Sequence, residues 1–147
     1  MKMKIVEPKS SEEMNNYFIL RYKVLREPWN QPIGSEQDSN ESSSIHRMIV
    51  DSNTSKIRAV GRLHFNNNKE SQIRYMAVSP EFQNQGLGTK ILFELEKIAI
   101  SKGANRMILQ SRENAIEFYK INGYVIRSKT YLLFDKIQHW LMEKKLI

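Results

Sequence analysis

The stretch Gln72–Gly103, QIRYMAVSPEFQNQGLGTKILFELEKIAISKG, constrains the fold of this chain more than any other. Ile73 to Val78 has the β-branched and aromatic content of a strand, and Ser79-Pro80 ends it, because proline cannot donate to a sheet ladder. From Leu87 the apolar residues return at Ile91, Leu95 and Ile98, with Leu92 and Ala99 beside them, which is the stripe of one helix face packed on a sheet. Gly103 stands where the helix should end, at a position whose positive φ is cheap only for glycine. Between strand and helix lies Gln83-Asn84-Gln85-Gly86-Leu87-Gly88-Thr89. Two glycines there remove the Cβ atoms that would hold a ligand off the backbone. The first four N–H groups of the helix have no partner inside it, and the helix dipole favours an anion at that end.

Which anion binds depends on the pattern of the turn. A P-loop needs four residues between its glycines and then Gly-Lys-Ser/Thr; here one residue separates Gly86 from Gly88, and Thr89-Lys90 come in the reverse order. A dinucleotide fingerprint would put its third glycine at Ile91. The pattern that fits is Gln/Arg-x-x-Gly-x-Gly/Ala, matched by Gln83, Gly86 and Gly88. Downstream, Asn114, Phe118, Tyr119, Gly123 and Tyr124 match Asn-x-x-x-Phe-Tyr-x-x-x-Gly-Tyr. In both motifs the chain resembles the GNAT superfamily of acyl-CoA-dependent N-acyltransferases. Met76-Ala77-Val78 before the loop, the helix after it and the strand Arg106 to Gln110 follow the family's order.

With 147 residues and no composition shift, the chain reads as a single domain, 1–147. It has no cysteine, which excludes a disulfide framework, a thiolate metal site and a cysteine nucleophile; no metal is expected. A net charge of +7 raises the question of nucleic acid, but the basic residues are scattered and no Lys/Arg block occurs. Lys90, Arg112 and Lys120 instead flank the proposed coenzyme site. No signal sequence or membrane-length apolar run is visible, so a cytoplasmic protein with no membrane partner is expected.

In chain order, Met3 to Val6 reads as a strand, and Ser10 or Ser11 with Glu13 caps a helix to Leu25 whose inner face is Met14, Phe18, Tyr22 and Leu25. Arg26 to Ser44 holds two prolines, a glycine and little periodicity, hence an irregular loop. It carries Glu27, Glu36, Asp38 and Glu41 against one basic residue, either a solvated acidic surface or an attractor for a cationic amine. Ile45–Val50 and Lys56–Phe65 form two strands joined by polar turns. After Gly103 come a buried parallel strand, a short helix capped by Asn114, and an antiparallel pair, Tyr124–Arg127 with Tyr131–Trp140. The expected fold is α/β: a GNAT-like three-layer arrangement whose mixed, mostly antiparallel sheet has six to seven strands, splayed at the centre, with helices on both faces.

The resemblance implies an acetyl-CoA-dependent N-acetyltransferase in which a primary amine attacks the thioester directly through a tetrahedral intermediate. It implies that acetyl-CoA is held by Met76, Ala77 and Val78, by Gln83, Asn84, Gln85, Gly86, Leu87, Gly88 and Thr89, and by Asn114 and Tyr119. Pantetheine amides would pair with the main chain of Met76 and Val78, and pyrophosphate with the turn. Asn114 is either a coenzyme contact or a plain helix cap. Tyr119 would protonate the leaving thiolate, since a phenol of pKa about 10 stays neutral beside a thiol of about 8.5. Many relatives place a glutamate on the central strand as base, where this chain has Gln72 and Arg74. His64, His46, His139 or ordered water could take the amine's proton, His64 first by position. A homodimer through the C-terminal strands is a further expectation from the family. The rivals are a GNAT-fold sensor that binds acyl-CoA without turnover, and a nucleic-acid-binding domain.

Overall fold

The computed structural model describes residues 2–147. The chain divides into two compact units: one is the chain up to His64 together with Tyr75–Leu95, the other Phe65–Arg74 with Glu96–Ile147. The strands are β1 (Met3–Val6), β2 (Ile45–Asp51), β3 (Ile57–Phe65), β4 (Glu70–Val78), β5 (Arg106–Arg112), β6 (Val125–Leu133) and β7 (Ile137–Lys145). The helices are α1 (Ser11–Leu25), α2 (Leu87–Ser101) and α3 (Ile116–Ile121). Strand order is β1-β2-β3-β4-β5-β7-β6, a seven-stranded mixed sheet that is mostly antiparallel, as expected.

In the first unit, β1 pairs antiparallel with β2 and β2 with β3, with a register shift between Ile49 and Val50. The capping box at α1 is complete: Glu13 N–H donates to Ser10 Oγ, and Ser10 N–H to Glu13 Oε1, satisfying donors the helix itself cannot. Hydrogen bonds from the Ser10 N–H first and the Lys9 N–H second hold the Glu13 carboxyl below its ordinary range. Tyr17, Met48, Val60 and Ala77 form a core with Met14, Phe18 and Leu20 of α1 against it. Gly61, next to Val60, faces α2, where an added Cβ would stand 2.6 Å from Ile91 Cγ2. Neighbouring strand residues point to opposite faces, so α1 and α2 cover opposite sides of β3.

The face of α1 differs from the expectation. Its fully buried residues are Tyr17 and Arg21, not the Met14–Phe18–Tyr22–Leu25 stripe, because a buried polar pair has taken the inward position. The Arg26 to Ser44 segment is irregular with two short 3₁₀ turns, Glu27–Trp29 and Glu41–Ser43.

In the second unit, β4 runs parallel to β5 from Glu70↔Arg106 to Ile73↔Leu109. β5 pairs antiparallel with β7, and β7 with β6. The expected strand Tyr131–Trp140 is instead broken at 134–136, where Phe134 and Asp135 take positive φ of 55° and 56°. Two consecutive left-handed residues make the tight hairpin whose twist matches its flanking strands, and the apolar run on either side concealed it. Asn114 is not a helix cap: it lies inside the 3₁₀ turn Glu113–Ala115, whose cap is Arg112, and α3 is capped by Ala115. Gly103 and Gly123 follow their helices at φ of 97° and 96°, as such ends require.

Candidate active site

In the first unit the turn Gln83–Thr89 leads β4 into α2. Asn84 and Gly86 have φ of 62° and 82°, and nothing lies within 4 Å of where a Cβ on Gly86 would stand. Gln83 to Gly86 are exposed, whereas Leu87 is buried and anchors the first helical residue. Gln83 Nε2 donates to the Val78 carbonyl at 3.2 Å, tying the turn back to the strand end. Ser79 N–H donates to the Arg58 carbonyl at 2.7 Å, and the Arg58 guanidinium covers the Phe82 ring at 4.1 Å, which steadies the approach from the other side. The turn thus offers open backbone next to the unpaired N–H groups of α2, a cradle suited to a diphosphate.

Just before Met76-Ala77-Val78, Tyr75 has φ of 57° in the middle of β4. Such a conformation costs about 1–3 kcal/mol for a non-glycine residue, so its surroundings must hold it. Guanidiniums of Arg21, Arg62 and Arg26 lie 4.3, 5.0 and 5.6 Å from its ring centroid. Arg21 and Arg62 are fully buried. Arg62 Nη1 donates to Asp38 Oδ1 at 2.7 Å and to Glu41 Oε2 at 2.9 Å, and Arg21 Nη1 reaches the same Glu41 oxygen at 2.9 Å. Burial lowers the Arg62 pKa, but the Asp38 hydrogen bond and the two carboxylate charges outweigh it, so the net shift is upward. Glu36 is buried as well, its carboxylate accepting from Gly34 N–H and from Gln37 Nε2.

These contacts revise the reading of the acidic loop. Glu36, Asp38 and Glu41 are neither solvated nor available to a cationic ligand: they neutralise buried arginines or accept local donors. Glu27 alone of the four is exposed. The sequence reading assigned no role to Tyr17, Arg21, Arg62 or Tyr75. One signal for the first two was present, an aromatic and a basic residue four apart on α1.

The three histidines have distinct settings. His46 is buried, with Nε2 2.8 Å from the Glu41 carbonyl and Nδ1 2.9 Å from the Tyr17 hydroxyl. A carbonyl has no proton to give, so Nε2 carries the hydrogen and Nδ1 of the neutral ring accepts from Tyr17. Burial pushes the His46 pKa down, and Arg21 and Arg62 push the same way, against the Glu41 carbonyl and carboxylate. The Tyr17 phenol is pushed up to about 12 by burial. His64 is half-buried, with Nδ1 3.3 Å from Arg62 Nη2.

In the second unit Tyr119 is buried, its ring edge-on to Phe118 at 5.0 Å and to Tyr124 at 5.7 Å. Burial raises its pKa, so the phenol stays protonated. Tyr124 donates to Glu96 Oε2 at 2.8 Å and Lys144 Nζ to Glu96 Oε1 at 3.0 Å, which fixes the ring that supports Tyr119. Burial first and then the Glu96 charge raise the Tyr124 pKa. Asn114 is exposed at the turn before α3. His139 is buried, its Nδ1 3.0 Å from the Ile137 carbonyl and its ring stacked on Tyr131 at 4.4 Å. Asn66 Nδ2 bridges Glu70 Oε2 at 2.8 Å and Gln72 Oε1 at 3.0 Å, so the polar side chains at this end of β4 serve a turn.

The profile of the Acetyltransferase (GNAT) family matches residues 12–124. The uncharacterized N-acetyltransferase YjcF of Bacillus subtilis is 30% identical over 142 residues, 97% of this chain and 99% of the relative. In fold, the chain is similar to a provisionally named N-acetyltransferase of Lactobacillus plantarum (TM-score 0.86, 19% identity, 100% of both chains). It is also similar to a GNAT family acetyltransferase of Elizabethkingia anophelis with acetyl-CoA bound (TM-score 0.77, 14% identity, 97% of both chains). Profile and full-length relative agree with the two motifs and the strand order: the chain belongs to the GNAT family of acetyltransferases.

Proposed function

We propose that this chain, as a single domain over 1–147, is an acetyl-CoA-dependent N-acetyltransferase acting on a primary amine. The observation that carries the reading is the turn opening α2, where Gly86 at positive φ leaves backbone uncovered beside the helix's unpaired N–H groups. Two proteins of similar fold support it, an aminoglycoside 6'-N-acetyltransferase complexed with coenzyme A and the Elizabethkingia anophelis acetyltransferase with acetyl-CoA bound. Pyrophosphate would take N–H groups from Gln85, Gly86, Gly88 and Thr89, with Gln83, Asn84 and Leu87 shaping the turn. Pantetheine would pair with the main chain of Met76 and the N–H of Val78, Ala77 packing between them; the Val78 carbonyl is engaged by Gln83. Asn114 would contact the same coenzyme.

The reaction needs one bond made and one broken. The neutral amine attacks the thioester carbon, the tetrahedral intermediate collapses with loss of the C–S bond, and the thiolate takes the phenolic proton of Tyr119. The amine nitrogen gives up its extra proton to water, and solvent returns a proton to the Tyr119 phenolate. Burial suits Tyr119 to this task because it keeps the phenol neutral until a stronger base than solvent forms beside it.

A second reading, a coenzyme-binding GNAT protein without turnover, is favoured by one observation: Gln72 and Arg74 stand where many relatives carry a carboxylate base. Titration calorimetry with acetyl-CoA, followed by a thiol-release assay over an amine panel, separates the two. Binding with turnover supports the enzyme, and binding with no turnover on any amine supports the second reading. Indifference to coenzyme, with steeply salt-dependent binding to DNA or RNA, would defeat both.

A further inference from the structure

We propose that Arg58 is a positioning residue for coenzyme binding: acting through Phe82, it fixes the turn that opens α2 and so sets the affinity for acetyl-CoA. The inference rests on the acetyl-CoA reading above. Every residue from Pro80 to Gly86 is exposed except Phe82, which is half-buried. A run with so little burial has almost no packing of its own, so its position depends on where Phe82 rests. The Phe82 ring lies under the Arg58 guanidinium, 4.1 Å from centroid to carbon. The Arg58 carbonyl accepts the Ser79 N–H at 2.7 Å. One residue of β3 therefore holds both ends of the 3₁₀ turn Pro80–Phe82, by main chain at Ser79 and by side chain at Phe82.

Arg58 is itself braced. Its side chain is 15% exposed, and Nη2 lies 3.7 Å from Oδ2 of Asp51, a carboxylate 4% exposed. The other Asp51 oxygen accepts the Asn53 N–H at 2.9 Å, so the turn between β2 and β3 stands behind the arginine. A guanidinium suits this place because it lies flat on a ring while its edge faces a carboxylate, which an ammonium cannot do. The consequence is preorganisation. N–H groups that already converge bind a diphosphate without losing binding energy to ordering their own backbone. With its guanidinium engaged by Phe82 and Asp51, Arg58 acts on the coenzyme through the turn and leaves the chemical step alone.

The test compares the wild type with Arg58→Met, Phe82→Ala and the double variant by titration calorimetry with acetyl-CoA. Each single change should weaken binding about tenfold, and the double variant should lose no more than the worse single, because the two side chains act as one unit. KM for acetyl-CoA should rise in step while kcat at saturating coenzyme holds. Unchanged affinity, additive losses, or a loss that falls on kcat overturns the inference. Should Arg58→Met fail to fold, Arg58→Lys, which keeps the charge but not the flat face, takes its place. A second readout needs no coenzyme: ¹⁵N order parameters of Gln83 to Gly86, expected near the rigid value of about 0.85 in the wild type, should fall toward about 0.6 in either single variant. Unchanged order parameters overturn the inference too. A wild-type protein that ignores acetyl-CoA would defeat the reading on which the inference rests and leave the order parameters to judge the hold of Arg58 on the turn.

Discussion

Glu41 Oε2 lies 2.9 Å from Nη1 of Arg62, a guanidinium with no exposed side-chain surface. The same oxygen binds Arg21, so one carboxylate serves two buried cations. Glu41→Gln should therefore cost about 3–5 kcal/mol, because removing the anion strands charges that water cannot reach. Urea denaturation at neutral pH measures it. A loss under 1 kcal/mol would mean that Asp38 and solvent compensate.

Gly61→Ala tests the packing of β3 on α2. The added methyl would stand 2.6 Å from Ile91 Cγ2, 3.0 Å from Met76 Sδ and 3.1 Å from Leu95 Cδ1. A branched side chain at χ1 yields poorly, so about 1–3 kcal/mol should be lost. Ile91→Leu removes that Cγ2, and the double variant should regain part of the Tm.

Gly86→Ala meets no atom, so only its φ of 82° opposes the change. Stability should fall by about 1 kcal/mol, while the methyl over the turn weakens acetyl-CoA binding by about tenfold in calorimetry. Unchanged affinity would place the diphosphate elsewhere.

Tyr119→Phe keeps the ring contacts with Phe118 and Tyr124 and removes the proton donor. Under the proposed mechanism kcat drops by about 100-fold while KM for acetyl-CoA barely moves. Equal kcat, with the chemical step limiting, would remove its role.

His46 predicts a pH dependence of stability. Its folded pKa lies below the unfolded value of about 6.5, with burial the main cause and the charges of Arg21 and Arg62 adding to it against Glu41. Below pH 6.5 the unfolded chain binds the extra proton, so this contribution is complete above that pH and is lost as pH falls toward the folded value. His46→Gln should flatten that part of the Tm-against-pH curve; an unaltered slope would assign it to other groups.

The α2 region was legible because its information is local. Apolar spacing from Leu87 to Ala99, proline at 80 and glycines at 86 and 103 each act on the backbone within a few residues. The same holds for the Ser10–Glu13 box. Local reading failed where a competing pattern masked the turn. Tyr131 to Trp140 is apolar enough to read as one strand, and only two left-handed residues divide it into β6 and β7.

The sequence by itself determined the family, the strand-turn-helix and the candidate coenzyme turn, since these depend on side-chain periodicity and on backbone freedom at single positions. Only the tertiary structure decided what the charged residues do. Arg21, Glu41 and Arg62 are far apart in the chain, and a loop acid reads as solvated until its partner is known. Once α1, the irregular loop and β3 meet, desolvation makes an unpaired charge too costly, and Asp38 and Glu41 are committed to arginines rather than to a ligand.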